Sequence, residues 1–279
     1  MMEVYYINHK NQKIDLGRPP YQMQIGDIFN HSNQYEGSNN RIKRIYKDIS
    51  TIPTVVTIEE TDRVSFSEAV NHFFDVTETD VTAGVQGKLY IGEYYLLCNV
   101  ISSDKTFWKE SFAGMENAVK LLVPYPFWCH EVEKSFVKSS VGTGHHEKTG
   151  KLSYPYRYPY RYPMSQDAAF VINDHYAACD FKMIIYGPCT NPSILINGHL
   201  YEVTATLYTG EYILIDSRDN TVVRYLNDGR TENLYNWRNK ASSLFEKIPS
   251  GQCSVLWNTD AFGFDIVLFQ ERGEPKWNL

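Results

Sequence analysis

A chain of 279 residues is long enough for two domains of ordinary size, each with its own hydrophobic core. Aromatic residues make up 14% of the chain, with 21 Tyr, and together with short runs of Val, Ile and Thr they favour β structure. The formal net charge of −6 argues against a general nucleic-acid-binding protein, because phosphates attract basic surfaces.

The first 128 residues predict a mainly β domain, sandwich-like or barrel-like, with one short helix. Short apolar or alternating runs indicate its strands. The predicted strands are 4–7, 13–16, 21–25 and 51–60, a hairpin pair over 88–100 divided by a Gly-Glu break at 92–93, and a closing strand over 120–128. The polar stretch 30–40 is rich in Asn, Ser and Gly and is therefore predicted to be an exposed loop.

One helix of about three turns is predicted over residues 65–75. Ser65 or Ser67 is expected to cap it, and Glu68, three residues after Ser65, fits a capping box. Its apolar face consists of Phe66, Val70, Phe73 and Phe74.

A Tyr-Pro-Tyr-Arg repeat over residues 153–163 interrupts the chain just past its midpoint. Each proline fixes φ and removes a backbone donor, so the repeat predicts an extended, semi-rigid linker. Residues 138–165 carry 5 Lys+Arg against 1 Asp+Glu, whereas 1–137 carry 13 against 18 and 166–279 carry 9 against 14. These three ranges are the predicted N-terminal domain, linker and C-terminal domain.

The basic linker has two interpretations: a solvated hinge, or a surface that contacts an acidic neighbour. Its five tyrosines cannot all be buried by the linker alone, which favours packing on another subunit. The predicted subunit or partner contacts are Tyr154, Tyr156, Arg157, Tyr158, Tyr160, Arg161 and Tyr162.

The region 166–279 predicts an antiparallel β-sandwich or jelly roll. Short strand-like runs alternate there with turn signals, of which Asn197-Gly198 is the strongest. Asp216 to Asp219 resemble a small acidic site for calcium or sugar, but they fall where a hairpin must turn. Trp237, Trp257 and Trp277 are either core residues or platforms for stacking on a sugar. The last two questions stay open on the sequence alone.

No motif predicts catalysis, a cofactor or a metal site. The chain contains no GxGxxG, Walker, HExxH or GxSxG pattern, and the adjacent His145 and His146 do not have ligand spacing. The five cysteines include no CxxC pair and predict buried free thiols in a reducing compartment. The polar N-terminus and the absence of a long apolar run predict cytoplasmic synthesis without a signal peptide and without membrane insertion.

Several stretches together resemble the distal tail proteins of long-tailed bacteriophages and prophages of Gram-positive bacteria. They span nearly the whole chain and occur in the family's order. These stretches are YYINHKNQKIDLGRPPY, KLYIGEYYLLCNV, the Tyr-Pro repeat, YGPCTNPSILINGHLYEV, EYILIDSRDNTV, LFEKIPSGQCSVLWN and FGFDIVLFQERGEPKW.

The resemblance implies an N-terminal β domain that closes a hexameric ring at the end of the tail tube. It implies a C-terminal galectin-like sandwich that holds or adjoins receptor-binding components, with no enzymatic activity and no cofactor. The implied partners are the chain itself, the tail-tube protein and the host-adsorption proteins, in the virion tail tip. The alternatives are an adhesion module that binds cell-wall carbohydrate and, more remotely, a wall-degrading enzyme.

Overall fold

The computed structural model describes residues 3–108, 113–138, 169–258 and 261–276. It is mainly β, with antiparallel pairing and one α-helix among the described residues, which confirms the predicted fold class. The chain divides into two compact units, Met1–His130 with Glu271–Leu279, and Glu131–Gln270. The predicted linker 138–165 lies outside the described residues apart from Lys138, so the predicted domain limits stay a prediction.

In the described residues of unit 1, two antiparallel sheets share one long strand, and a two-stranded hairpin stands apart from both. The strands are β1 (Val4–Ile7), β2 (Lys13–Asp15), β3 (Gly17–Arg18), β4 (Tyr21–Met23), β5 (Gln34–Ser38), β6 (Arg41–Tyr46), β7 (Ser50–Glu59), β8 (Gly87–Ile91), β9 (Tyr94–Trp108), β10 (Gly114–Val123) and the start of β11 (Trp128–Phe136). The first half of β9 pairs with β8, and residues 99–108 pair with β10. A bent strand of this length therefore carries the chain from one sheet into the other.

The helix α1 (Arg63–Ala83) is 21 residues long, so the predicted end at residue 75 is wrong. Its cap is Asp62, whose side chain accepts from the backbone N–H groups of Val64 and Ser65, and the predicted serine caps are also wrong. The helix continues through the threonines beyond residue 75, where Thr77 is buried and donates to the Phe73 carbonyl. Tertiary burial overrides their weak helix propensity.

One strand prediction and one loop prediction in unit 1 are also wrong. The predicted strand over 120–128 is divided between β10 and β11, because Pro124 and Pro126 interrupt the ladder. The predicted loop over 30–40 contains β5, the first arm of a hairpin with β6. A short 3-10 helix, Asp27–Phe29, precedes that hairpin.

Unit 2 is a sandwich of two antiparallel sheets, as the turn signals predict. Its strands are β12 (Ala169–Asn173), β13 (Asp180–Tyr186), β14 (Cys189–Thr190), β15 (Ser193–Ile196), β16 (His199–Glu202), β17 (Thr206–Leu207), β18 (Tyr212–Asp216), β19 (Thr221–Tyr225), β20 (Thr231–Asn233), β21 (Gly251–Trp257) and most of β22 (Phe264–Arg272). A 3-10 helix spans Tyr235–Trp237. One sheet has the order β20-β19-β18-β13-β22, with residues 131–136 of β11 next to β22, and the other has β12-β21-β15-β16. The strands β14 and β17 form a separate pair.

The core of unit 2 lies between these sheets. Phe181, Met183 and Ile266 come from the first sheet, and Ile194 and Val255 come from the second; all are at most 2% exposed. The turn predicted at residues 197 and 198 is confirmed by positive φ values of 49° and 84°.

All five cysteines are free and buried, as predicted. Burial raises the pKa of Cys98 to about 12 and that of Cys189 to about 11, so both stay thiols at physiological pH. Among the described residues, no helix is both long enough and apolar enough to cross a membrane.

Candidate functional site

The sequence-predicted contact residues lie outside the described part of the chain. They are Tyr154, Tyr156, Arg157, Tyr158, Tyr160, Arg161 and Tyr162. His145, His146 and Trp277 lie outside it as well. The described ranges contain no group of three or more His, Cys, Asp or Glu residues that could hold a metal ion.

The other predicted candidates in unit 2 separate into structural and exposed residues. Trp257 packs on Phe264, and its Nε1 donates to the Phe262 carbonyl at 3.0 Å, so this tryptophan is part of the core. Trp237 is 56% exposed. Asp216 accepts from the Arg218 backbone N–H at 3.0 Å, which is the turn geometry expected at that hairpin.

The most exposed element of unit 1 is the β5–β6 hairpin, which we call the arm (Gln34–Tyr46). Every residue of it is exposed except Tyr46, which is half-buried. Asn39 and Asn40 form its turn with φ values of 53° and 59°, the left-handed geometry that favours Asn and Gly in two-residue hairpins. Sequence reasoning missed the arm, although the Asn39-Asn40 pair is itself a turn signal.

The arm has one apolar face and one charged face. Glu36 pairs with Arg44 and Gly37 with Ile42, so Lys43 is the extra residue of a β-bulge. Because a bulge sets two residues against one, it shifts the alternation by one position and brings Ile42 to the face of Ile45. On that face Tyr35, Ile42 and Ile45 are 74%, 67% and 62% exposed.

A second open surface lies between α1 and β9, and we call it the groove. Its volume is about 450 Å³. Its lining residues are Phe74, Thr77, Glu78, Val81, Thr82, Val100, Ile101, Ser102 and Ser103. Val81 is 45% and Ile101 is 46% exposed, so apolar surface faces solvent along the groove.

The far end of β9 adds a third exposed feature. Residues 99–108 pair with β10 on one side, and no other described strand pairs with residues 100–108. Trp108 is 57% exposed at this end. A free strand edge with an exposed aromatic residue is a surface that proteins usually cover.

Unit 2 carries a row of tyrosines on the outer face of one sheet. The rings of Tyr212 and Tyr225 stack at 4.6 Å, and the ring of Tyr186 lies 6.5 Å from that of Tyr212. Tyr186 donates to Asp265 Oδ2 at 2.6 Å, and this bond, with a smaller contribution from burial, raises the pKa of Tyr186 to about 12. Tyr186 therefore keeps its proton near pH 7.

Comparison with solved structures assigns this arrangement of strands to a class: the chain has the fold of phage baseplate and hub proteins. It matches a chain of the phage P2 baseplate in its activated conformation with calcium, at TM-score 0.60 and 11% identity, over 99% of this chain and 100% of that one. It matches a chain of the same activated baseplate with strontium at TM-score 0.58 and 12% identity, over 99% and 100%.

A further match is the SPP1 Dit protein, described as a paradigm of the hub adsorption apparatus in phages that infect Gram-positive bacteria. Its TM-score is 0.54 at 9% identity, over 98% of this chain and 99% of that one. No protein-family model and no curated protein matches the sequence. The shared feature is therefore the fold along the whole chain.

Proposed function

We propose that this protein is a structural component of a phage or prophage tail tip, of the distal-tail type, from a phage of a Gram-positive host. The observation that carries the proposal is the fold match along both chains from end to end. In this role the protein forms a homohexameric ring that joins the tail tube to the host-adsorption proteins, and it has no enzymatic activity. The open apolar surfaces of unit 1 support an assembling protein, because monomers rarely leave such surfaces uncovered.

The ring predicts a mass of six times 32.3 kDa, about 194 kDa, for the purified protein. Multi-angle light scattering across a wide range of concentrations measures this mass directly. A protein that stays at 32.3 kDa throughout, with and without tail-tube protein, would contradict the ring. A clear halo on a peptidoglycan zymogram would contradict the structural, non-enzymatic role.

A second candidate function is carbohydrate binding by unit 2, which the tyrosine row and the exposed Trp237 favour. Aromatic faces beside a carboxylate such as Asp265 suit a sugar ring, which offers C–H groups to stack and hydroxyls to donate. If this function is correct, Tyr212→Ala and Trp237→Ala each weaken binding to cell-wall polysaccharide about tenfold. Tyr176→Ala, at a tyrosine 72% exposed but outside the row, is the control. Equal binding by all variants, or none by the wild type, would reject carbohydrate binding here.

A further inference from the structure

The arm needs a partner for its apolar face. A two-stranded hairpin is marginally stable in water, and the arm pairs with no other described strand. Tyr35, Ile42 and Ile45 nevertheless present their side chains to solvent together. Covering that face would remove apolar area from water, which is worth roughly 25 cal/mol per Å².

The groove has the chemical properties expected of a binding site for the apolar face of the arm. Phe74, Val81 and Ile101 give it apolar walls. Ser102 Oγ is buried beside them and has no hydrogen-bond partner among the described residues. Lys105 Nζ lies 4.6 Å from the centre of the Phe74 ring, so one end of the groove already carries a cation.

The arm is basic, and the helix side of the groove is acidic. The arm carries Arg41, Lys43 and Arg44 against one acid, Glu36. The solvent side of α1 carries acids at positions 68, 75 and 78, which follow one another along the helix surface, and Glu78 lines the groove itself. The opposite charges favour the orientation in which the charged side of the arm faces the acids of the helix.

We propose that the arm of one copy of this chain seats in the groove of the next copy, with Ile42 and Ile45 against Val81 and Ile101. The occupant is a second copy because both complementary surfaces belong to the same chain. Such a contact joins two different patches, so each subunit offers one arm and one groove, and repetition of the contact forms a ring when the rotation between neighbours closes, as the proposed hexamer requires. The inference rests on the proposed function and assigns the residues of its subunit contact.

Thiol crosslinking tests the contact, because the five native cysteines are buried and introduced thiols are the accessible ones. Two single variants, Ile42→Cys and Val81→Cys, are mixed in equal amounts and treated with a short bis-maleimide. We expect a covalent dimer in the mixture and little in either variant alone. Val64→Cys, 69% exposed and about 25 Å along the same helix from Val81, replaces the groove variant in the control and gives no dimer.

Blocking variants then test whether the contact holds the ring together. An arm variant, Ile42→Asp with Ile45→Asp, and a groove variant, Val81→Asp, each change exposed residues and should remain folded, and the two altered surfaces carry the same charge, so they cannot pair with each other. Each alone is expected at 32.3 kDa. Their equal mixture retains one good arm and one good groove per pair, so it should stop at dimers of about 65 kDa, twice 32.3 kDa. Val64→Asp, the same change at an exposed position outside the groove, should leave the oligomer intact.

The outcomes separate this inference from the proposed function. If the wild type and both blocking variants are all hexamers, and Ile42→Cys and Val81→Cys give no crosslinked dimer, the arm contact is wrong. The ring itself is still supported in that case. A wild-type protein that stays monomeric rejects the ring, and the absence of crosslinked dimers at the same concentration rejects the contact as well. Dimers in the Val64→Cys control would also overturn the assignment, because the arm would then not select the groove.

Discussion

Replacing Asp80 with alanine is expected to lower the free energy of unfolding of unit 1 by about 3–5 kcal/mol, the cost of breaking a buried polar cluster. Asp80 is 0% exposed, near the end of α1. One carboxylate oxygen accepts from the Tyr6 hydroxyl at 2.5 Å, and the other accepts from the His9 backbone N–H at 2.9 Å and lies 2.6 Å from His9 Nδ1. Removing the carboxylate leaves the Tyr6 hydroxyl and the His9 N–H without their acceptor.

The same cluster predicts a graded series of variants. Tyr6→Phe removes a single donor and should cost about 1–3 kcal/mol. Gly87→Ala should also destabilise unit 1, because a Cβ there would overlap the Tyr6 hydroxyl and Asp80 Oδ2. Asp75→Ala, on the exposed side of the same helix, is the control and should change stability by less than about 0.5 kcal/mol.

Urea unfolding monitored by hydrogen exchange of the α1 amides measures the free energy of unfolding of each variant, because exchange at these amides reports on unit 1 separately. Burial and the bond to Asp80 raise the pKa of Tyr6 well above its ordinary value. A loss for Asp80→Ala no larger than for Asp75→Ala would show that the cluster does not stabilise the fold.

Strand patterns were readable from the sequence where one face of a strand is buried. The hairpin of β8 and β9 and the Asn197-Gly198 turn follow directly from alternation and turn chemistry. The length of α1 was not readable, since Asp80 resembles a solvent-facing acid in the sequence. Its burial depends on Tyr6 and His9, which are more than 70 residues away.

The candidate site was harder to predict, and for a different physical reason. The arm is exposed, so no burial pattern marks it, and its bulge at Lys43 breaks the alternation that would have indicated β6. The groove is lined by residues of α1 and of β9 that lie some 20 residues apart in the chain, so no local spacing in the sequence predicts it. A contact between two subunits depends on how the shape and charge of one surface match those of another, and local patterns in the sequence do not show this match.

In unit 2, Asn173→Asp is expected to lower the free energy of unfolding by about 3–5 kcal/mol near neutral pH, as an uncompensated buried charge does. Asn173 is 0% exposed at the end of β12. Its amide nitrogen donates to the carbonyls of Ala177, Ile248 and Pro249 at 3.1–3.2 Å. A carboxylate in that position has no N–H to donate and faces three carbonyl oxygens.

The pH dependence of this loss distinguishes charge from packing. Burial and the facing carbonyls raise the pKa of the introduced carboxyl in the folded state above its value in the unfolded chain. The folded form therefore binds the proton more readily, so the penalty is fully present above the folded pKa and shrinks as the pH falls through it.

Urea unfolding of wild type, Asn173→Asp and Asn173→Ala at neutral and mildly acid pH measures this dependence. Asn173→Ala loses the same amide donors without adding a charge, and it also removes the Oδ1 that accepts from the His175 N–H, so its cost of about 3 kcal/mol should not change with pH in this way. If the free energies of unfolding of the two variants depend on pH in the same way, the introduced charge does not interact unfavourably with the three carbonyls. The expected result is that the loss of stability for Asn173→Asp shrinks in acid while the loss for Asn173→Ala does not. That result would show that the charge facing the three carbonyls causes the loss, because protonation of the carboxyl removes the charge and restores one O–H donor.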